Sequence, residues 1–174
     1  MNNKIVFIIG GARSGKSSFA LNEASKIKGQ KAFIATAEAL DNEMKERIEK
    51  HKEDRGDEWD TYEEPIRIST ILSDIKNKYS VIVLDCLTVW LSNIVQNRLN
   101  IENEISAFVK SLEDSSPHSP SHVFIVSNEV GMGIVPENKM AREFRNLAGF
   151  LNQKVAEIAD EVYMVTAGIP VKIK

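Results

Sequence analysis

Apolar positions along this chain alternate between two rhythms. Short β-branched and aromatic runs read as buried strands: residues 4–9, 31–36, 80–85, 122–127 and 161–166. The stretches between them carry helix-forming composition. One helix is predicted over 16–27, with Gly29 as its stop signal, and others over 66–76, 87–95 and 102–112. Residues 41–54 are rich in Glu, Lys, Met and Arg, with Met44 and Ile48 as a narrow apolar stripe that puts this helix at the surface. Arg55, Gly56 and Asp57 break it, and 59–65 reads as an extended connection. A long helix over 137–159 lines up Met140, Phe144, Leu147, Leu151, Val155 and Ile158 on one face, most simply as core. The chain closes with a strand over 171–173, paired hairpin-like with 161–166 across Ala167, Gly168, Ile169 and Pro170. Loops fall at 115–121, with two prolines, and at 131–136, with two glycines. Strands alternating with helices predict an α/β fold, a mostly parallel sheet with helices on both faces. Ligands then gather at the carboxyl ends of the strands.

The first strand runs into Gly10, Gly11, Ala12, Arg13, Ser14, Gly15, Lys16 and Ser17, which spell Gly-x-x-x-x-Gly-Lys-Ser ahead of a helix. That order is the phosphate-binding P-loop. Glycines let successive N–H groups turn toward phosphate oxygens, and the helix dipole points at the same anion. Lys16 supplies a cation for the outer phosphates, and the Ser17 hydroxyl is placed to ligate Mg²⁺. The alternative, an ordinary glycine turn, does not account for the strand and helix on either side.

Asp85 ends an apolar strand, where a Walker B acid holds Mg²⁺ or its water. A plainer role is the N-cap of the next helix. Arg47, His51 and Arg55 are spaced i, i+4, i+8 on one helix face, with Lys52 beside them. Two arginines around a histidine bind an anion and favour the neutral, nucleophilic imidazole. Spacing by itself favours a solvated charged face, as for most such helices. Glu63 and Glu64 precede Pro65, where an acid accepts hydrogen bonds from a base or ribose; surface acidity is equally compatible. Asn128 and Glu129 end a strand near the expected crevice, where Glu129 is placed to assist a hydroxyl nucleophile.

Composition narrows the class. The 174 residues suit one domain over 1–174. A net charge of −3 leaves no basic excess for nucleic acid. No apolar run nears the roughly 20 residues of a membrane span, and the run over 5–9 is too short for a signal-peptide core. Cys86 is the single cysteine, which permits no internal disulfide and fits a reducing cytoplasm.

Together these segments resemble one family, over almost the whole chain. They are 10–17; Ile34 to Ala37; the Asp41, Glu43, Met44, Arg47, Ile48, His51, Lys52, Arg55 pattern; Trp59, Thr61, Glu63, Glu64 and Pro65; 84–88; 127–136; and 168–172. The family is the bifunctional adenosylcobinamide kinase/adenosylcobinamide-phosphate guanylyltransferase of cobalamin biosynthesis. The resemblance implies a RecA-like P-loop fold, a homotrimer, and two reactions. ATP or GTP phosphorylates the aminopropanol hydroxyl of adenosylcobinamide. GMP from GTP then passes to a histidine, matched here by His51, and on to adenosylcobinamide phosphate. The resemblance also implies nucleotide contacts from 10–17, Ala35, Thr36, Ala37, Lys52, Glu53, Asp54, Arg55, Glu63 and Asp85, with Ser17 and Asp85 on Mg²⁺. Gly56 departs from the family pattern, which often has proline there. Two other classes fit the P-loop: a RecA-like ATPase acting on another substrate, which needs a nucleic-acid surface, and a non-catalytic nucleotide-binding regulator, against which Lys16, Ser17 and Asp85 argue.

Overall fold

The computed structural model describes residues 4–38, 56, 58–113 and 122–174. The strands are β1 (Lys4–Gly10), β2 (Lys31–Ala35), β3 (Trp59–Glu63), β4 (Val81–Asp85), β5 (His122–Asn128), β6 (Glu161–Thr166) and β7 (Ile169–Lys172). The helices are α1 (Lys16–Ser25), α2 (Ile68–Ile75), α3 (Leu87–Gln96), α4 (Ile101–Glu113) and α5 (Lys139–Ile158). The predicted helix over 41–54 and loop over 115–121 lie outside the described residues.

All seven strands form one sheet in the order β3-β2-β4-β5-β1-β6-β7, parallel except for β7, which runs antiparallel to β6. Strand alternation divides the core into two layers. Phe7, Ile34, Ile82, Leu84, Val123 and Ile125 face one side with α2, α3, α4 and α5. Val6, Ile8, Phe33, Val81, Val83, Phe124 and Val126 face the other, where Ala20 and Ala24 of α1 pack. Helices therefore cover both faces, as the alternation of elements predicts. In α4, Ile105, Phe108 and Leu112 supply the buried stripe, and Phe108 lies 5.5 Å from the Trp90 ring. The Trp90 indole donates to the Ile66 carbonyl at 2.8 Å, which satisfies its buried N–H.

Three expectations are corrected. Residues 59–63 are not a connection but the edge strand β3, paired in parallel with β2 from Lys31↔Trp59 to Ala35↔Glu63. With only Trp59 and Tyr62 packed against the two core layers, an edge strand's apolar content is too sparse to show a period. Met140 is 71% exposed, because α5 packs against the core only from Phe144 onward. The closing hairpin turns on Ala167 and Gly168 alone, with φ of 51° and 79°. Two successive positive φ values are what a two-residue turn between twisted strands requires. Ile169 and Pro170 belong to β7, where an edge position tolerates the missing proline N–H.

Candidate active site

Residues 10–17 form the turn between β1 and α1. Ser14 N donates to the Gly11 carbonyl at 3.3 Å, and Arg13 takes a positive φ of 55°. Two of the glycines are required by their surroundings. A Cβ on Gly10 would lie 2.3 Å from the Val165 carbonyl oxygen and 2.8 Å from Ser14 Oγ. Gly15 has φ of 96°, and a Cβ there would lie 3.2 Å from Gly168 Cα. The β6–β7 turn braces the loop from behind, with Gly168 N donating to the Ser14 carbonyl at 2.8 Å.

Among the described residues no side chain caps the start of α1, and its first turn carries no acid. Its N–H groups and dipole are therefore left for an anion. The Lys16 side chain is buried and folds back over the loop, its Nζ donating to the Gly11 carbonyl at 2.6 Å and reaching Ser14 Oγ at 3.5 Å. A phosphate oxygen is a stronger partner for this ammonium than a carbonyl.

Asp85, half-buried, ends β4 on the same face as Val81 and Val83, the face that α1 covers. Burial first, and then the Asp85 charge, push the Cys86 thiol up to about 11, against the lowering effect of the Val89 and Thr88 backbone N–H groups and, least, of Lys16. Asp85, at the end of β4, and Lys16, at the start of α1, thus both act on one buried sulfur. Ser17 and Asp85 are both hard oxygen donors with part of their surface open. Mg²⁺ takes one or two protein oxygens together with substrate phosphates, so this donor set fits it.

The remaining expected contacts divide. Ala35 and Ala37 keep some exposure at the carboxyl end of β2, and Glu63 ends β3 beside Ala35. Thr36 is fully buried: its hydroxyl accepts from Cys86 N at 2.9 Å and donates to the Cys86 carbonyl at 2.8 Å. Its backbone N–H donates to the Asp85 carbonyl, and its own carbonyl accepts from Asn93 Nδ2. Thr36 therefore ties β2 to the Asp85 turn. Glu64 is likewise committed, accepting from Ile66 N and Arg67 N ahead of α2. His51, Lys52, Glu53, Asp54 and Arg55 lie outside the described residues.

A buried group not anticipated from the sequence sits beneath the crevice. Ser127 Oγ donates to Asn152 Oδ1 at 2.7 Å and pairs with Thr88 Oγ1 at 3.2 Å. The signal was polarity out of place: Ser127 ends an apolar strand, and Asn152 follows Leu151 on the buried face of α5.

A parallel sheet with β5 between the P-loop strand and the Asp85 strand, and a buried lysine over the loop, defines a RecA-like P-loop nucleotide-binding protein. Two solved structures share this fold. One is a prototypical ATPase from a bacterial type III secretion system: TM-score 0.59, 11% identity, covering 97% of this chain and 56% of that one. The other is the RadB recombinase: TM-score 0.54, 14% identity, covering 92% and 73%. Residues 6–173 match the family model for cobinamide kinase / cobinamide phosphate guanyltransferase, and the chain belongs to that family. It is 37% identical to the bifunctional adenosylcobalamin biosynthesis protein CobU of Escherichia coli K12, over 98% of this chain and 99% of that protein. It is 36% identical to the corresponding CobP of Pseudomonas aeruginosa PAO1, over 96% and 95%.

Proposed function

We propose that the chain, as a single domain over 1–174, carries out two successive transfers in cobalamin biosynthesis. The first phosphorylates adenosylcobinamide with ATP or GTP. The second moves GMP from GTP onto adenosylcobinamide phosphate through His51. The observation that carries this reading is the buried Lys16 folded over 10–17, in a chain of the cobinamide kinase / cobinamide phosphate guanyltransferase family.

In the first transfer, Lys16 and the N–H groups at the start of α1 hold the triphosphate and offset the charge that develops on it. The substrate hydroxyl attacks the γ-phosphorus and the nucleoside diphosphate leaves. In the second, the His51 imidazole attacks the α-phosphorus and pyrophosphate leaves. The corrinoid phosphate then takes GMP from the histidine. Ser17 and Asp85 would hold Mg²⁺, which supplies positive charge to the phosphates when bound. Arg47 and Arg55 share the helical spacing of His51, Lys52 lies beside it, and all three would pair with the transferring group. One bound triphosphate cannot present its α- and γ-phosphorus equally to two nucleophiles, so the nucleotide or the site shifts between reactions. The enzyme acts in the cytoplasm as a homotrimer, and sedimentation at micromolar protein is expected to show a trimer rather than a monomer.

The test uses GTP labelled at the α-phosphate, with Mg²⁺. Label is expected on the protein through a bond labile in acid and stable in base, as a phosphoramidate is. It is expected to disappear in His51→Ala, which should still phosphorylate adenosylcobinamide. Label from the γ-phosphate should not be retained. Undiminished α-label in His51→Ala, or no labelled wild-type protein at any pH, would overturn the His51 assignment.

A further inference from the structure

Three neighbouring strands, β1, β5 and β4, end at the crevice with Gly10, Asn128 and Asp85. Gly10 and Asn128 are direct partners in the β1–β5 register, and Asp85 pairs with Val126 two residues before Asn128. Alternation sets their direction. Val6 and Ile8, Phe124 and Val126, and Val81 and Val83 all face the α1 layer. Gly10, Asn128 and Asp85 continue those three rows and so share that face. Because Gly10 has no side chain, the Asn128 amide borders the P-loop on one side and the Asp85 row on the other.

The backbone of Asn128 is held from the opposite layer. Strand β4 ends at Asp85, so the last two residues of β5 outrun it and lose that ladder partner. Thr88, in the first turn of α3, replaces the missing strand by accepting from Asn128 N at 2.7 Å. Asn152, on α5, donates to the Asn128 carbonyl at 3.1 Å. Ser127 joins these two side chains, and all three of Thr88, Ser127 and Asn152 are at least 92% buried. The next residue closes the frame, with Glu129 N donating to the Gly10 carbonyl at 2.9 Å. Burying three polar side chains is costly unless they are mutually satisfied, and these are. Their combined effect is to fix one residue. Among the described residues, the Asn128 side-chain amide itself takes part in no hydrogen bond.

Resting on the phosphoryl-transfer reading above, we propose that Asn128 is a catalytic residue of the kinase step, its amide N–H donating to an oxygen of the γ-phosphoryl group as that group transfers. Thr88 and Asn152 are its positioning residues. In that step the substrate hydroxyl oxygen bonds to the γ-phosphorus. The bond from that phosphorus to the bridging oxygen breaks, with its electron pair on the departing nucleoside diphosphate. The hydroxyl proton passes to water. Asn128 remains neutral throughout and acts only as a donor placed before the charge develops.

The experiment measures adenosylcobinamide phosphorylation by ATP and Mg²⁺ in the full chain, alongside ADP binding by calorimetry. In Asn128→Ala and Asn128→Asp, kcat is expected to fall by about 10²–10³, the usual loss for one such donor. ADP affinity should stay within about threefold, because ADP lacks the γ-phosphoryl group. Thr88→Val should lose about tenfold in kcat, and Thr88→Ser, which restores the hydroxyl, should recover it. Wild-type kcat in both Asn128 variants would overturn the catalytic assignment. So would a kcat loss matched by an equal loss of ADP binding, which marks a merely structural role. Thr88→Ser remaining as slow as Thr88→Val would overturn the positioning role. Failure of the kinase reading itself would appear separately, as wild-type protein that binds ADP yet phosphorylates no adenosylcobinamide.

Discussion

Gly10→Ala tests whether the P-loop is fixed by its packing or only by its own turn. The added Cβ would lie 2.3 Å from the Val165 carbonyl oxygen. An ordinary contact begins near 3.4 Å, so either β1 or β6 must move by roughly 1 Å. Neither is free to do so cheaply. Gly10 and Val165 are register partners in the sheet, and the Gly10 carbonyl also accepts from Glu129 N at 2.9 Å. Overpacking of this kind costs about 1–3 kcal/mol. For a chain of this size that corresponds to a fall in Tm of about 2–12 °C. The displaced loop also moves the triphosphate, and misplacement by about 1 Å can cost on the order of 10² in rate. Scanning calorimetry and initial-rate phosphorylation of adenosylcobinamide read the two effects. Gly149→Ala is the matched comparison, since a Cβ on that glycine meets nothing within 4 Å. Replacing a mid-helix glycine should stabilise α5 by about 0.5–1 kcal/mol. A Gly10→Ala protein with unchanged Tm and unchanged kcat/KM would refute the argument that Val165 and Ser14 define the loop's position.

Two further predictions concern charge. Lys16→Ala should abolish both kinase activity and α-label incorporation if, as proposed, both reactions use the same loop; guanylylation at the native rate would show that they do not. The hydrogen bond from Lys172 foremost, aided by Lys4 and Tyr163, holds the Glu161 carboxyl at about 2 against the opposing effect of burial. The folded state thus holds this proton more weakly than the unfolded chain. Its stabilising contribution is complete above about pH 4.5 and is lost as pH falls toward 2. Solvent reaches both lysines, so the contribution is on the order of 1 kcal/mol. Urea unfolding at pH 7 and pH 3 should show wild type losing its advantage over Glu161→Gln; an advantage unchanged at pH 3 would contradict the assignment.

Most of the fold is legible in local pattern. The runs that became β1, β2, β4, β5 and β6 are dense in apolar residues because both faces of those strands are covered, among the described residues by α1 on one side and four helices on the other. Where coverage is thin the pattern fails, as in β3, whose identity comes only from pairing with β2. Met140 shows the converse, since helical spacing marks a face without revealing whether anything lies against it.

The candidate site divides along the same line. Gly10, Gly15, Lys16 and Ser17 are readable because phosphate binding there depends on backbone conformation within one short segment. Asp85 is readable as the acid ending an apolar strand. Residues 128 and 129 could be assigned to the crevice from sequence, but not to a partner. The placement of β5 between β1 and β4, and the shortness of β4 beside it, put Asn128 next to Gly10 and leave its N–H to Thr88. Thr88, Ser127 and Asn152 lie 24 to 40 residues from their partners, distances at which no local periodicity operates. Sequence alone determined the elements, the phosphate loop and the family, because each is written in contiguous residues. Which side chains meet at the strand ends was decided only by the order of strands in the sheet, since that order is set by long-range pairing and two-sided burial.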